Sequence, residues 1–345
     1  MIKIVGKYFT QEDFSKKENQ VLSIAVSKTG FSPQKLIYKG VIYDPDKVGS
    51  IIYKGIYKGK PAVLKLQGLH PETDEADILL GFKEQNKSKI IRLPELYAYQ
   101  KWNEKDGFGF LITEYIPYPK IHLMPFPSDD EIKLFCDFYQ EYKTKCLNVP
   151  FTKTEEKDDS SKNFVLRRVD TWTKISNYKS VLNKYVPEEK ISRLVKIYKD
   201  TMRKNLDSKL VFSHGHLSSK DILYSGKEFV LLSNLYWTYR PRFYDLIFNL
   251  HWCLEAINDI NFTYSKYLEF VKKWLKNFYQ IPVVKSDPEA IKNIHLMLLE
   301  RTMGAILIDT GSRNEFNKKV EHLLGLQIDF FEELTERILT RSYLS

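Results

Sequence analysis

The most informative stretch of this sequence is Val211-Phe-Ser-His-Gly-His-Leu-Ser-Ser-Lys-Asp-Ile-Leu223. Both ends of this stretch are apolar and are typical of short β-strands, whereas its middle is polar and contains a glycine that favours a turn. Two histidines flank Gly215, and Asp221 follows His216 by five residues. The pattern predicts a strand, a tight polar loop that presents several side chains, and a second strand.

The residues after the loop predict a β-hairpin and then a helix. Asp221-Ile-Leu-Tyr224 is separated by a Ser-Gly turn from a second apolar run, Phe229-Val-Leu-Leu232, and Ser233 follows this run directly. Farther along, Tyr244-Asp245-Leu246 leads into a segment with the apolar spacing of a helix. We therefore expect a strand, a polar loop, a hairpin and a helix in this order.

A second group of strands is predicted well upstream of the loop. Residues 49–65 read as two strands joined by a turn, and Lys65 lies near the end of the second strand. A helix is expected to start at residue 71, with acidic residues in its first turn, where the helix macrodipole favours them. Glu75 is the best candidate for an acidic partner of Lys65, and Glu72 is the second.

In this order, the motifs resemble the aminoglycoside phosphotransferase and choline kinase group of the protein-kinase-like superfamily. That group has a His-Gly-Asp loop, a hairpin, an Ile-Asp-Trp/Phe-Glu metal site and a Pro-x-x-Tyr-Asp-Leu element. The resemblance implies an α+β, bilobal protein-kinase-like fold with a small β-rich N-terminal lobe and a large helical C-terminal lobe. It places the first lobe, with an N-terminal extension, at residues 1–116, the hinge at 117–128 and the second lobe at 129–345.

Three residues occupy the catalytic and metal positions of that group, and each differs from the group's residue. His216 replaces the catalytic Asp, Asp221 replaces an Asn that contacts a metal ion, and Ser233 replaces the metal-binding Asp. An imidazole accepts a proton at neutral pH but supplies no negative charge, and a hydroxyl is a poor substitute for the carboxylate that holds the metal ions on the phosphates. The replacements predict impaired phosphate transfer and weaken the case for Mg²⁺, for which Asp221 is the remaining carboxylate.

The positions that bind the nucleotide and stabilise the loop are closer to the group's pattern. Lys65, with Glu75 as its partner, stands where the strand lysine of kinases holds the α and β phosphates, so the resemblance implies ATP as the cofactor. The segment from Gly40 to Gly49 stands at the loop over the phosphates, but it lacks the Gly-x-Gly-x-x-Gly spacing. The resemblance gives His214 and Asp245 structural roles, and it implies that Asp245 bonds back to the backbone of the loop.

Three functions stay open from the sequence. The first is a pseudokinase that binds a nucleotide, a metabolite or a protein partner in the cleft between its lobes without transferring phosphate. The second is a divergent small-molecule phosphotransferase in which His216 is the base and Asp221 holds a metal ion. The third is a scaffold protein whose cleft is filled by its own side chains. Against the second function stands the plainer interpretation that His216 and Asp221 are loop residues without a catalytic role.

Composition limits the classes of function further. The chain is 43% hydrophobic and 14% aromatic, which is enough for a full globular interior. No apolar run reaches the roughly 18 residues of a membrane span, and the apolar segment at the N-terminus is too short for a secretion signal. We therefore expect a cytoplasmic protein without a membrane partner. The net charge is +9, but basic residues alternate with acidic ones, which indicates solvated helix faces and no specific nucleic-acid surface.

Overall fold

The computed structural model describes residues 17–40, 49–68, 71, 73–122, 124–147, 150–152, 159–179, 181–311, 313 and 316–344. The chain divides into two compact units. The first contains the described residues up to Pro119, those between 148 and 154, and Leu223–Trp237, and the second contains the others. Strands dominate the first unit and helices the second, so the predicted α+β class is confirmed.

The strands and helices of the described residues have the following bounds. The strands are β1 (Ser32–Gly40), β2 (Ser50–Tyr57), β3 (Lys60–Gln67), β4 (Ile91–Arg92), β5 (Leu96–Asn103), β6 (Phe108–Glu114), β7 (Val211–Ser213), β8 (Ile222–Tyr224), β9 (Phe229–Leu231) and β10 (Thr238–Arg240). The helices are α1 (Glu18–Thr29), α2 (Glu75–Gln85), α3 (Asp129–Glu141), α4 (Ser161–Lys179), α5 (Glu188–Asn205), α6 (Tyr244–Glu255), α7 (Tyr264–Phe278), α8 (Pro282–Lys285), α9 (Ala290–Gly304) and α10 (Lys318–Thr340).

The first unit is built on an antiparallel sheet with the strand order β1-β2-β3-β6-β5. Because side chains alternate along a strand, β3 presents one set of residues to each face of the sheet. One face packs against α1 through a core of apolar side chains: Val21, Ala25, Ala62, Leu64 and Leu66. Lys65 lies on the opposite face, where it pairs in register with Ile52 of β2 and Leu111 of β6.

A smaller sheet in the same unit has the strand order β4-β9-β8. Strands β8 and β9 form the hairpin that the sequence predicts, and its turn is closed by a 3.1 Å hydrogen bond from the N–H of Ser225 to the carbonyl of Glu228. The guanidinium of Arg92 in β4 contacts two carboxylates, those of Glu114 at 2.6 Å and Glu228 at 3.1 Å. This ion network links β4, the end of β6 and the hairpin.

Helix α2 begins at Glu75, so the sequence prediction of a start at residue 71 was wrong. Asp74 is the residue that precedes the helix, but its carboxylate does not cap it. That carboxylate accepts a hydrogen bond from the N–H of Trp102 in β5, at 2.9 Å. A long-range contact therefore takes the side chain that local sequence would use as a cap, and Glu75 comes to lie in the first turn of α2.

The second unit is mainly helical, and Asp245 in the first turn of α6 contacts the predicted loop. Strand β7, which leads into the loop, pairs antiparallel with β10, which leads into α6. Helix α3 starts with a capping box in which Ser128 and Glu131 exchange hydrogen bonds. Within the described residues no helix has the length and apolar character needed to cross a membrane.

Candidate functional site

Lys65 forms an ion pair with Glu75 on the face of the sheet that points away from α1. Their side chains approach to 2.5 Å between Nζ and Oε2, and the amide of Gln67 donates to the same carboxylate oxygen at 3.0 Å. The Glu75 side chain is only 6% exposed, so the pair is shielded from most solvent. The positive end of the helix dipole at the start of α2 also stabilises the carboxylate. The second candidate partner, Glu72, lies outside the described residues.

A cavity of about 570 Å³ lies on the first unit, and residues on the Lys65 face of the sheet contribute to its wall. Lys54 and Ile56 of β2 pair with Val63 and Pro61 of β3, which places them on the same face as Lys65. The cavity wall also contains residues at and after the end of β6, among them Glu114, Tyr115 and Pro117. Between Gly40 and Gly49, residues 41–48 of the predicted phosphate loop lie outside the described residues.

Ser233 has an unusual backbone conformation, with φ 57° and ψ 43° in the left-handed region. A non-glycine residue adopts this conformation uncommonly, and it often marks a turn or a functional segment. The next residue, Asn234, starts a short 3₁₀ turn and uses its amide within it, donating to the carbonyl of Leu231 and accepting from the indole of Trp237. Asn234 therefore stabilises the turn, and Ser233 presents a neutral hydroxyl at the predicted metal position.

In the second unit, the carboxylate of Asp245 anchors the backbone of the polar loop. It accepts hydrogen bonds from the N–H of His214 at 2.9 Å and of Gly215 at 2.8 Å. Gly215 has φ +77°, a conformation that glycine adopts without a steric penalty. The hydroxyl of Tyr142 donates to Asp245 at 2.7 Å and accepts from the N–H of His214 at 2.6 Å. The contact from Asp245 to the loop backbone is the one that the resemblance implies.

His216 and Asp221 contact each other directly within the loop. Nδ1 of His216 lies 3.2 Å from Oδ2 of Asp221, and the hydroxyl of Ser218 donates to the same oxygen at 2.5 Å. Burial opposes ionisation of Asp221, but the hydrogen bond and charge of His216, with smaller contributions from His214 and Ser218, lower the pKa of this carboxyl below its usual value. An ionised Asp221 favours the proton on Nδ1 of a neutral His216, so Nε2 is the ring atom that accepts a proton.

The sequence did not predict two of the residues that stabilise this loop. Ser218 belongs to the quoted stretch, but only the folded loop shows that its hydroxyl binds Asp221. Tyr142 lies in a π-helical turn at the end of α3, 72 residues before His214. Turns of this kind are frequent at functional sites, yet nothing in the local sequence indicates that Tyr142 contacts Asp245.

The residues at the predicted metal positions do not fit Mg²⁺. This ion prefers an octahedral set of oxygen ligands with one or two carboxylates. Oδ2 of Asp221 already accepts hydrogen bonds from His216 and Ser218, and Ser233 carries no charge. In the described part of the chain, no group of three or more His, Cys, Asp and Glu side chains is arranged to hold a metal ion.

No protein-family model and no curated protein matches this chain in sequence. Solved structures are nevertheless similar to it over nearly its whole length. A thermostable mutant of aminoglycoside phosphotransferase APH(4)-Ia, in a ternary complex with ADP and hygromycin B, covers 93% of this chain and 97% of its own, with a TM-score of 0.55 and 11% identity. A ternary complex of the same enzyme with AMP-PNP and hygromycin B covers 92% and 96%, with a TM-score of 0.53 and 11% identity.

An ethanolamine kinase from Plasmodium vivax is similar to the same extent. It covers 92% of this chain and 88% of its own, with a TM-score of 0.55 and 13% identity. At such low identity the similarity establishes the fold and leaves the activity open. The chain therefore has the protein-kinase-like fold of the aminoglycoside phosphotransferases and ethanolamine kinase, as its sequence motifs predicted.

Proposed function

We propose that this chain is a kinase-like protein that binds a nucleotide through Lys65 and is impaired in phosphate transfer. The observation that carries the proposal is the ion pair between Lys65 and Glu75, because it holds an ammonium group at the strand position that binds phosphates in kinases. Gln67 adds a hydrogen bond to the same carboxylate and so limits its movement. The complexes of fold relatives with ADP and AMP-PNP support a nucleotide as the ligand.

The impairment follows from the chemistry of the replaced residues. Phosphate transfer depends on metal ions that neutralise charge on the phosphates and on a carboxylate near the accepting hydroxyl. Ser233 supplies no negative charge for a metal ion, and His216 supplies none near an acceptor. Because positioning and charge stabilisation contribute many orders of magnitude to such reactions, losing both carboxylates is expected to leave binding without efficient transfer.

Calorimetric titration of the full chain with AMP-PNP and GMP-PNP, each with and without magnesium, tests the proposal. We expect measurable binding that magnesium does not strengthen. Lys65→Ala is expected to weaken binding by roughly tenfold to a hundredfold, which corresponds to the loss of a charge-assisted hydrogen bond of about 1.5–3 kcal/mol. Lys83→Ala, at an exposed lysine of α2, is the control and leaves the affinity unchanged. Binding that does not depend on Lys65 contradicts the proposal.

One observation favours the second function, a divergent phosphotransferase. The contact between His216 and Asp221 is of the kind that orients an imidazole as a general base, since the carboxylate selects the tautomer and stabilises the protonated ring. In that function the acceptor hydroxyl would lose its proton to Nε2 of His216. Steady turnover of ATP or GTP with a small alcohol or amino sugar, abolished by His216→Ala, would establish this function over the proposed one.

A further inference from the structure

A glycine in the middle of helix α2 is in close contact with a phenylalanine from a distant segment of the chain. Gly81 lies inside α2, where glycine is less favourable than alanine because it loses more backbone freedom on folding. A Cβ atom at this position would lie 2.8 Å from Cβ of Phe151. Carbon atoms in favourable contact are about 3.5–4.0 Å apart, so a larger residue would displace Phe151. The glycine therefore allows Phe151 to pack directly on the helix.

The ring of Phe151 completes a cluster of three aromatic rings on α2. Its centroid lies 5.8 Å from that of Phe82, and the two rings meet edge to face at 89°. The ring of Trp237 lies 5.0 Å from Phe151 and 5.5 Å from Phe82. These distances are those of favourable aromatic pairs. Phe82 and Trp237 are buried, so the aromatic cluster of Phe82, Phe151 and Trp237 fixes the second half of α2.

The aromatic cluster connects parts of the first unit that are far apart in the sequence. Phe151 falls between α3 and α4, which both belong to the second unit, yet it packs as part of the first. The indole of Trp237 donates to Asn234 at 3.0 Å, in the turn that follows Ser233. The helix that carries Glu75 and the turn that carries Ser233 are therefore held by the same rings.

The position of α2 determines whether Glu75 meets Lys65. Glu75 lies in the first turn of α2, and its carboxylate contacts Nζ of Lys65 at 2.5 Å. The start of the helix is held by Asp74, which accepts from the N–H of Trp102 at 2.9 Å. The aromatic cluster supplies the second anchor, so its loss would allow α2 to turn about the first. A ligand that needs the paired lysine would then bind only the fraction of molecules in which the pair is formed.

We propose that Phe151 is a positioning residue for the nucleotide site, because its ring holds α2 where Glu75 pairs with Lys65. The inference rests on the proposed function and adds the residue that keeps this pair assembled. An aromatic pair contributes enough free energy for about a twofold to tenfold change in an equilibrium constant. Phe151→Ala is expected to weaken AMP-PNP binding by that factor. Phe151→Leu keeps an apolar side chain against α2 and is expected to retain most of the affinity.

A double-mutant cycle with Lys65 distinguishes positioning from a general loss of structure. Calorimetry without magnesium is carried out on the full chain, on Phe151→Ala, on Lys65→Ala and on the double variant. Because Phe151 acts through Lys65, Phe151→Ala should weaken binding by the native chain and leave the affinity of Lys65→Ala unchanged. Hydrogen exchange of the α2 amides in the same variants should be faster without Phe151, since the helix has lost an anchor.

Gly81→Ala tests the same contact from the side of the helix. It displaces Phe151, so we expect a loss of affinity similar to that of Phe151→Ala, and the two changes together should cost no more than the larger single loss. Gly325→Ala in α10 is the matched control, because a Cβ atom there meets no atom within 4 Å. Phe316→Ala is the control for the removal of a ring. Phe316 is half-buried and stacks on Tyr185 at 3.9 Å, and its loss should leave the affinity unchanged.

The outcomes separate this inference from the function on which it rests. Unchanged affinity in Phe151→Ala, while binding by the native chain depends on Lys65, overturns the inference and leaves the function standing. Equal losses from Phe151→Ala in the native and Lys65→Ala chains also overturn it, because Phe151 would then act independently of Lys65. If Phe151→Ala does not fold, the same cycle is measured with Gly81→Ala. Failure of AMP-PNP to bind, or binding that does not depend on Lys65, overturns both.

Discussion

Nδ1 of His216 lies 3.2 Å from Oδ2 of Asp221, so the polar loop contains an imidazole held by a buried carboxylate. In the phosphotransferase group that the sequence resembles, these two positions are occupied by a catalytic Asp and by an Asn that contacts a metal ion. In this chain His216 and Asp221 contact each other, and the hydroxyl of Ser218 donates to the same oxygen of Asp221. A carboxylate used in this way stabilises the loop and orients a histidine, which is a different task from holding a metal ion.

Phosphate transfer is expected to return only when carboxylates are restored at positions 216 and 233 together. His216→Asp alone leaves Ser233 without a negative charge and sets two carboxylates side by side with Asp221, so we expect no turnover. The combination of His216→Asp, Asp221→Asn and Ser233→Asp restores the residue types of the phosphotransferase group, and residues of this kind act as a unit. The measurements are phosphate release and phosphate transfer to small alcohols or amino sugars, for the His216→Asp variant and for the triple variant.

The control for this experiment is the pair His216→Asp and Asp221→Asn without the change at position 233. It is expected to be as inactive as the native chain. Turnover by this pair, or by His216→Asp alone, would show that a carboxylate at position 233 is not required.

Asp245→Ala is expected to destabilise the protein by about 2–4 kcal/mol. The change removes the acceptor for the N–H groups of His214 and Gly215 and for the hydroxyl of Tyr142, and it leaves buried donors unsatisfied. The free energy of unfolding is measured in urea. Asp329→Ala, at an exposed position of α10, is the control and should change it by less than about 0.5 kcal/mol. A similar small change for Asp245→Ala would contradict the anchoring role.

The contribution of Asp221 to stability is expected to depend on pH. Its pKa is lowered in the folded protein, so it contributes stability that is present above the usual carboxyl value of 3.8 and is lost as the pH falls through the lower folded value. We therefore expect the native chain to exceed Asp221→Asn in stability at neutral pH. The difference should shrink on acidification below about pH 4. A difference that stays constant between pH 7 and pH 3 would rule out this contribution.

The buried ion pair between Arg168 and Glu300 provides a comparison of buried and exposed charges. The pair is 2.7 Å long, and the Glu300 side chain has no exposed surface. Glu300→Ala leaves Arg168 partly buried without this partner and is expected to cost about 3–5 kcal/mol in unfolding free energy. Arg193 and Glu332 form an exposed pair at 2.8 Å, so Glu332→Ala should cost no more than about 1 kcal/mol. Equal losses in urea unfolding would contradict the assignment.

The sequence determined the features that depend on neighbouring residues. The hairpin of β8 and β9, the strand of Lys65 and the helix that follows the loop were all predicted, because apolar alternation and turn residues act within a few positions. Their order was enough to predict the protein-kinase-like fold, which the solved structures confirm. The roles of Lys65, His216 and Asp221 in binding or catalysis stay predictions.

The tertiary structure decided which side chains meet across long stretches of chain. Tyr142 reaches Asp245, 103 residues later, and Arg92 reaches Glu228, 136 residues later, and no local pattern specifies either pair. Local and long-range hydrogen bonds also compete for the same side chain. Asp74 accepts from the backbone of Trp102 and does not cap the helix, and α2 begins at Glu75 instead of residue 71. A polar side chain can satisfy only a few partners, and packing alone brings one of them within reach. The sequence therefore determined the secondary-structure elements and their order, whereas packing determined which side chains surround the polar loop and the cavity.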